Sequence, residues 1–94
     1  MKVAGLGILY EFMRQHPDSK GPLETWLALV LKASWQINTD IRQMSGSASF
    51  VGGRRVVFNI KGNRYRLDVK VSYKNQVVQI IRIGTHSEYD KWKF

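Results

Sequence analysis

The sequence predicts an α+β fold, with two helices in the first half and an antiparallel meander in the second. Apolar residues recur at helical spacing up to about residue 44 and at two-residue spacing from about residue 55. Turn-forming clusters separate the later runs, at Lys61-Gly62-Asn63 and Lys74-Asn75-Gln76. The chain has 94 residues, room for one core that every element must share, so residues 1–94 are read as a single domain. An apolar fraction of 44% with 12% aromatic residues excludes a disordered tail.

Met1–Ala4 is expected as a short edge strand. Leu6, Leu9, Tyr10 and Met13 then fall at i, i+3, i+4 and i+7, which predicts a helix from Leu6 to Gln15. Gly5 and Gly7 weaken its start. His16-Pro17 ends it, because a residue before proline is pushed out of the α region. Ser19 is the expected cap of a second helix, with Pro22 in its first turn and Glu24 near its positive end. Leu23, Trp26, Leu27, Val30 and Leu31 form its core stripe, and Trp35 closes it onto the body of the domain. Asn38–Met44 reads as a short turn of helix and Ser45-Gly46-Ser47 as loop.

In the second half, Arg55–Ile60 places Val56, Phe58 and Ile60 on one face. Arg64–Tyr73 alternates without a fault: Tyr65, Leu67, Val69, Val71 and Tyr73 against Arg64, Arg66, Asp68, Lys70 and Ser72. Val77–Ile83 is apolar on both parities except at Gln79 and Arg82, which predicts an inner strand covered on both sides, its two faces unassigned. Gly84 is expected to break that strand. A short C-terminal segment starts at Thr85, tacked down by Trp92 and Phe94.

Several classes of function are excluded. There is no cysteine, hence no disulfide, thiolate zinc site or cysteine nucleophile. The longest apolar run, Trp26–Leu31, is six residues against the ~20 of a membrane helix. Met1-Lys2 opens no cleavable leader, so a cytoplasmic protein with no membrane partner is expected. Seven carboxylates are scattered, the two histidines stand seventy residues apart, and Val51-Gly52-Gly53 precedes a strand rather than a helix. The expectation is therefore no metal and no cofactor.

The charge is the positive signal. Fifteen basic against seven acidic residues give +8. Residues 1–53 carry five basic and four acidic groups, a net +1, and residues 54–94 carry ten and three, a net +7. That asymmetry points to a polyanionic partner. Arg64, Arg66 and Lys70 share one strand parity, on a two-residue repeat of ~6.6 Å, close to the phosphate spacing of an extended single strand. The alternative is a solvated face neutralised by Asp68. Tyr89 and Trp92 are available to stack on bases. RNA supplies its own nucleophile, the 2′-hydroxyl; cleavage needs a base, an acid and cations for the phosphorane. His86, at the end of a strand, suits proton transfer. His16 is accounted for by its position at a helix C-terminus.

Two runs resemble a known family. Arg55-Val56-Val57-Phe58-Asn59-Ile60-Lys61-Gly62-Asn63-Arg64-Tyr65-Arg66-Leu67 and Gly84-Thr85-His86-Ser87-Glu88-Tyr89-Asp90-Lys91 are similar to segments of HigB-type toxins. Glu11-Phe12, His16-Pro17-Asp18, Leu23, Trp26, Ala33, Trp35, Asp40 and Ala48-Ser49-Phe50 extend the likeness through the first half. The resemblance implies a RelE-like fold, two N-terminal helices packed on a small twisted antiparallel sheet. It also implies the toxin of a type II toxin–antitoxin pair: a metal-free endoribonuclease acting on mRNA, in the ribosomal A site for many members, and neutralised by a helix-turn-helix, HigA-type antitoxin. Arg66 matches the arginine that faces the scissile phosphate, and His86 and Tyr89 match the acid–base and stacking groups. Lys61, Asn63, Arg64, Lys70 and Lys91 are the expected RNA contacts. A non-catalytic RNA-binding module and a ParE-like, gyrase-directed inhibitor are the rival readings.

Overall fold

The computed structural model describes residues 1–94. The elements run β1 (Lys2–Ala4), α1 (Leu6–Gln15), a 3-10 turn (Pro17–Ser19), α2 (Lys20–Lys32), α3 (Asn38–Met44), β2 (Ser49–Phe50), β3 (Arg55–Ile60), β4 (Tyr65–Ser72), β5 (Val77–Thr85) and α4 (His86–Tyr89). The five strands form one sheet in the order β1-β5-β4-β3-β2. From β2 to β5 every pairing is antiparallel. β1 pairs parallel to β5, Lys2 opposite Val77 and Ala4 opposite Gln79.

The sheet is therefore mixed, which corrects the all-antiparallel expectation. Hairpin turns fix the direction of β3, β4 and β5. No turn ties β1 to its neighbour, so its direction is set by the way it enters α1. That entry is at Gly5, whose backbone is left-handed (φ 87°) and whose missing Cβ would lie 2.9 Å from the Ile80 carbonyl oxygen. Only glycine fits both conditions. α3 stands where a short turn of helix is expected, and the C-terminal segment opens with a one-turn helix, α4.

The core lies between the helices and one face of the sheet. Phe58 of β3 is fully buried, edge-on to Trp26 (5.4 Å between centroids) and stacked with Trp35 (6.3 Å). The predicted core faces of β3 and β4 hold, with Val56, Phe58, Ile60, Tyr65, Leu67, Val69 and Val71 buried. Two helical positions depart from expectation. Tyr10 and Leu31 are each 54% exposed, and Phe12 takes the core place on α1. At about 100° per residue the buried stripe of α1 centres near Leu9 and that of α2 between Trp26 and Val30, leaving Tyr10 and Leu31 beyond its edge. Ser19 does not cap α2; its hydroxyl donates to the His16 carbonyl (2.7 Å), and the 3-10 turn runs directly into the helix.

β5 explains its own ambiguous pattern. It lies between β1 and β4. Asp68 pairs with Arg82 but Val69 pairs with Ile80, so Ile81 is an extra residue. This bulge switches side-chain parity. Val78 and Ile80 before it, and Ile83 after it, all turn to the helical side. Nor does Gly84 break the strand, which continues to Thr85. A Cβ there would sit 3.0 Å from Trp92 Cζ2 and 3.1 Å from Glu88 Cβ. Glycine lets the C-terminal segment pack closely on the backbone, and a Cβ would force Trp92 and Glu88 to shift.

The face away from the helices is not a solvated basic strip. Asp68 is 0% exposed and accepts from Nε of both Arg55 (2.9 Å) and Arg82 (2.9 Å), with a second Arg55 bond from Nη2. Trp92 lies 4.4 Å from the Arg82 guanidinium, and Phe94 lies 5.1 Å from that of Arg82 and 5.5 Å from that of Arg55. The C-terminal segment thus lies across this face, held by arginine–aromatic contacts, as Trp92 and Phe94 were expected to do.

Candidate functional site

One end of the sheet, where the β3–β4 turn meets the end of β5, gathers most of the predicted site residues. Arg66 stands in β4 between Asn59 of β3 and Gly84 of β5. It is only 8% exposed. Its Nη1 donates to the Asn63 carbonyl (2.9 Å), and Asn63 is steadied by a bond from the Asn59 amide (3.1 Å). The Tyr89 ring caps the guanidinium at 5.2 Å. The remaining Arg66 N–H groups have no partner in the chain, and none is sealed from solvent. Arg66 is thus a cation held in one orientation with donors to spare.

α4 presents the other groups. Thr85 caps it: Thr85 Oγ1 accepts from the Glu88 amide (3.2 Å), and Glu88 Oε1 accepts from the Thr85 amide (3.0 Å). This capping box fixes a helix too short to stand alone. The Thr85 backbone bond, then the Thr85 hydroxyl, hold the Glu88 carboxyl below its usual range; the charges of His16 and Lys91 add to this. The His86 amide donates to the Arg64 carbonyl (3.1 Å), tying the start of α4 to the start of β4. The half-exposed His86 ring has Nδ1 3.3 Å from Asp90 Oδ2 and is edge-on to Tyr89 at 6.4 Å. Tyr89 is edge-on to Trp92 at 5.6 Å. Arg66, Tyr89 and His86 thus form a continuous series.

On the opposite side of His86, towards the helices, is a cleft of about 420 Å³ lined by His16, Arg64, Tyr65, Thr85, His86 and Ser87. His16 stacks on Phe12 (4.2 Å) and tilts against Tyr65 (5.4 Å). Below it, Asp18 accepts from the Tyr65 hydroxyl (2.6 Å) and Lys61 Nζ (3.2 Å), and lies 3.5 Å from Arg64 Nε. The Tyr65 hydroxyl, with Lys61 and Arg64, holds the Asp18 carboxyl below its usual range. Asp18 and burial push the Tyr65 hydroxyl up.

The predicted residues therefore separate into groups. Arg66, His86 and Tyr89 come together. Arg64 turns to the helical side and lines the cleft instead of sharing a face with Arg66. Lys61 and Arg64 are exposed and paired with Asp18, a surface arrangement that costs little to open. Asn63 stands behind Arg66. Lys91 follows α4 closely enough for its charge to act on Glu88. Lys70 lies four residues along β4 from Arg66, about 13 Å away, on the far side of the Asp68 ion pairs, and is not part of this group. Sequence pattern alone does not single out Asp18, Asn59, Glu88 or Asp90, and it accounts for His16 as the end of a helix. The available signal was the His16-Pro17-Asp18 run. No three His, Cys, Asp or Glu side chains lie close enough to hold a metal ion, and no helix is long and apolar enough to cross a membrane.

Residues 19–92 match a family model described as HigB_toxin, RelE-like toxic component of a toxin-antitoxin system. A search of curated proteins finds no match.

Proposed function

The chain belongs to the HigB-type family of RelE-like toxins, the toxic components of toxin–antitoxin systems, and on that premise we propose that it is an endoribonuclease that cleaves mRNA, on the translating ribosome, without a metal ion. The observation that carries this reading is the series at one end of the sheet: an oriented arginine with free donors, an aromatic ring over it, and a half-exposed histidine backed by a carboxylate.

The chemistry follows from those groups. A base removes the 2′-hydroxyl proton, the 2′-oxygen attacks phosphorus, and the bond to the 5′-oxygen breaks as that oxygen takes a proton. The products are a 2′,3′-cyclic phosphate and a 5′-hydroxyl. His86 transfers a proton, with Asp90 orienting its ring through Nδ1. Arg66 offers its free N–H groups to the phosphorane oxygens, where charge develops. Tyr89 stacks on a base or hydrogen-bonds the RNA. Lys61 and Arg64 take flanking phosphates by exchanging Asp18 for RNA, and Lys91 adds charge beside α4. The antitoxin partner is a helix-turn-helix protein of the HigA type.

The test is induction in growing cells followed by mapping of mRNA 5′ ends, with and without a translation inhibitor. New 5′-hydroxyl ends inside coding sequences, lost with the inhibitor and lost in His86→Gln, are expected. Growth arrest with intact mRNA refutes the reading. Purified toxin is expected to cleave equally well in excess EDTA on a substrate that does not itself require magnesium.

A further inference from the structure

His16 lies outside the residues matched by the family model, and its place at the end of α1 gives it a sufficient structural reason to exist. The tertiary structure nevertheless puts it in the same cleft as the other histidine of the chain, seventy residues away in sequence. We propose that His16 is a second proton-transfer residue, facing His86 across the cleft, and that the two imidazoles divide the roles of base and acid in RNA cleavage. This rests on the endoribonuclease reading and deepens it.

Three features of the site support the pairing. Transfer through the phosphorane needs two proton events on opposite sides of phosphorus, the removal from the 2′-hydroxyl and the delivery to the 5′-oxygen. A single histidine leaves one of them unassigned, whereas both histidines of the chain line this one cleft. The ring of His16 is fixed. His16-Pro17 ends α1 by backbone restriction, and the ring is held by Phe12 at 4.2 Å and Tyr65 at 5.4 Å, so it does not need ordering when substrate arrives. Arg64 lines the same cleft and is released from Asp18 at little cost, so it holds a flanking phosphate there while Arg66 meets the phosphorane. The charged and titratable groups around His16 are Asp18 on its own segment, Arg64 in the β3–β4 turn, Tyr65 on β4, and His86 and Glu88 on α4. The proton account closes: the base ends protonated, the acid ends neutral, and water returns both to their starting forms.

The experiment is single-turnover cleavage of RNA by the wild type, His16→Asn, His16→Ala and His86→Gln, over pH, with thermal melts and RNA binding measured in parallel. The wild type should show a bell-shaped profile with two bends. His16→Asn and His16→Ala should fold, bind RNA within about threefold of wild type, and lose about 10²–10⁴-fold in rate. They should also lose one limb of the bell, and His86→Gln the other. Added imidazole should restore part of the rate of His16→Ala, a rescue that a purely structural role would not give. If His16→Asn cleaves within threefold of wild type while His86→Gln is inactive, the pair is refuted and the endoribonuclease reading stands. A loss that leaves the bell intact and ignores imidazole refutes the pair in the same way. If the wild type cleaves no RNA on or off ribosomes, the endoribonuclease reading fails and the pair falls with it.

Discussion

Arg66→Ala is expected to cost both stability and catalysis, in amounts the structure allows to be separated. The side chain is only 8% exposed, so strand parity alone understates its structural part. Truncation removes a charged donor from the Asn63 carbonyl, about 1.5–3 kcal/mol, and the contact with Tyr89, about 0.5–1 kcal/mol. Water will recover part of the first, so a net loss of about 2 kcal/mol in folding stability is expected. In the reaction, loss of one positioned donor to the phosphorane costs about 3 kcal/mol, or a hundredfold or more in rate. The two effects separate when denaturant midpoints are measured first and single-turnover rates are then taken at a temperature where the variant remains folded. Arg66→Lys keeps the charge but loses the planar fork, so its rate should fall between the two. A folded Arg66→Ala that cleaves within threefold of wild type would refute the assignment of phosphorane charge to this residue. So would a rate loss that disappears once the unfolded fraction is removed.

Asp68→Ala should be among the most destabilising single changes in the sheet, about 3 kcal/mol by urea unfolding, because it strands Arg55 and Arg82 beside each other on a covered face; a loss below about 0.5 kcal/mol would mean the ion pairs are incidental. Gly84→Ala should push Trp92 and Glu88 away from β5, costing about 1–3 kcal/mol and lowering cleavage through displacement of α4; unchanged stability and Trp92 fluorescence would count against that packing. The capping box should also be acid-sensitive. Glu88 is held low in the folded state, so its contribution is present above the unfolded value near ~4.3 and is lost as pH falls through the depressed folded value. Protection of the α4 amides, taken relative to intrinsic exchange, should therefore fall below about pH 4, and Glu88→Gln should remove that titration; protection that does not change with pH would show that the box does not hold α4.

The sequence determined much of this molecule. The β3–β4 and β4–β5 hairpins, the core faces of β3 and β4, and the extents of α1 and α3 were legible because each is governed by neighbours within a few residues: a hydrophobic period, a turn cluster, a proline. Arg66, His86 and Tyr89 were legible for a different reason, the resemblance of two long runs to a toxin family. The structure brings those three together at one end of the sheet.

The features that no local pattern states involve partners far apart in the chain. β1 could lie either way along β5, and three residues carry no periodicity that states the direction. The bulge at Ile81 had to be seen before the mixed parity of β5 made sense, since one extra residue inverts every face that follows. Asp68 was visible as an acid among bases, but its partners proved to be Arg55 and Arg82 on neighbouring strands, not Arg66 and Lys70 on its own. Gly84 reads locally as a strand break because the Trp92 packed against it lies eight positions on, beyond a helical turn. His16 looked sufficient as the end of a helix. Only the packing of α1 against the sheet set it across a cleft from His86, because pattern within a sequence records which face of an element is buried, and not which element will be buried against it.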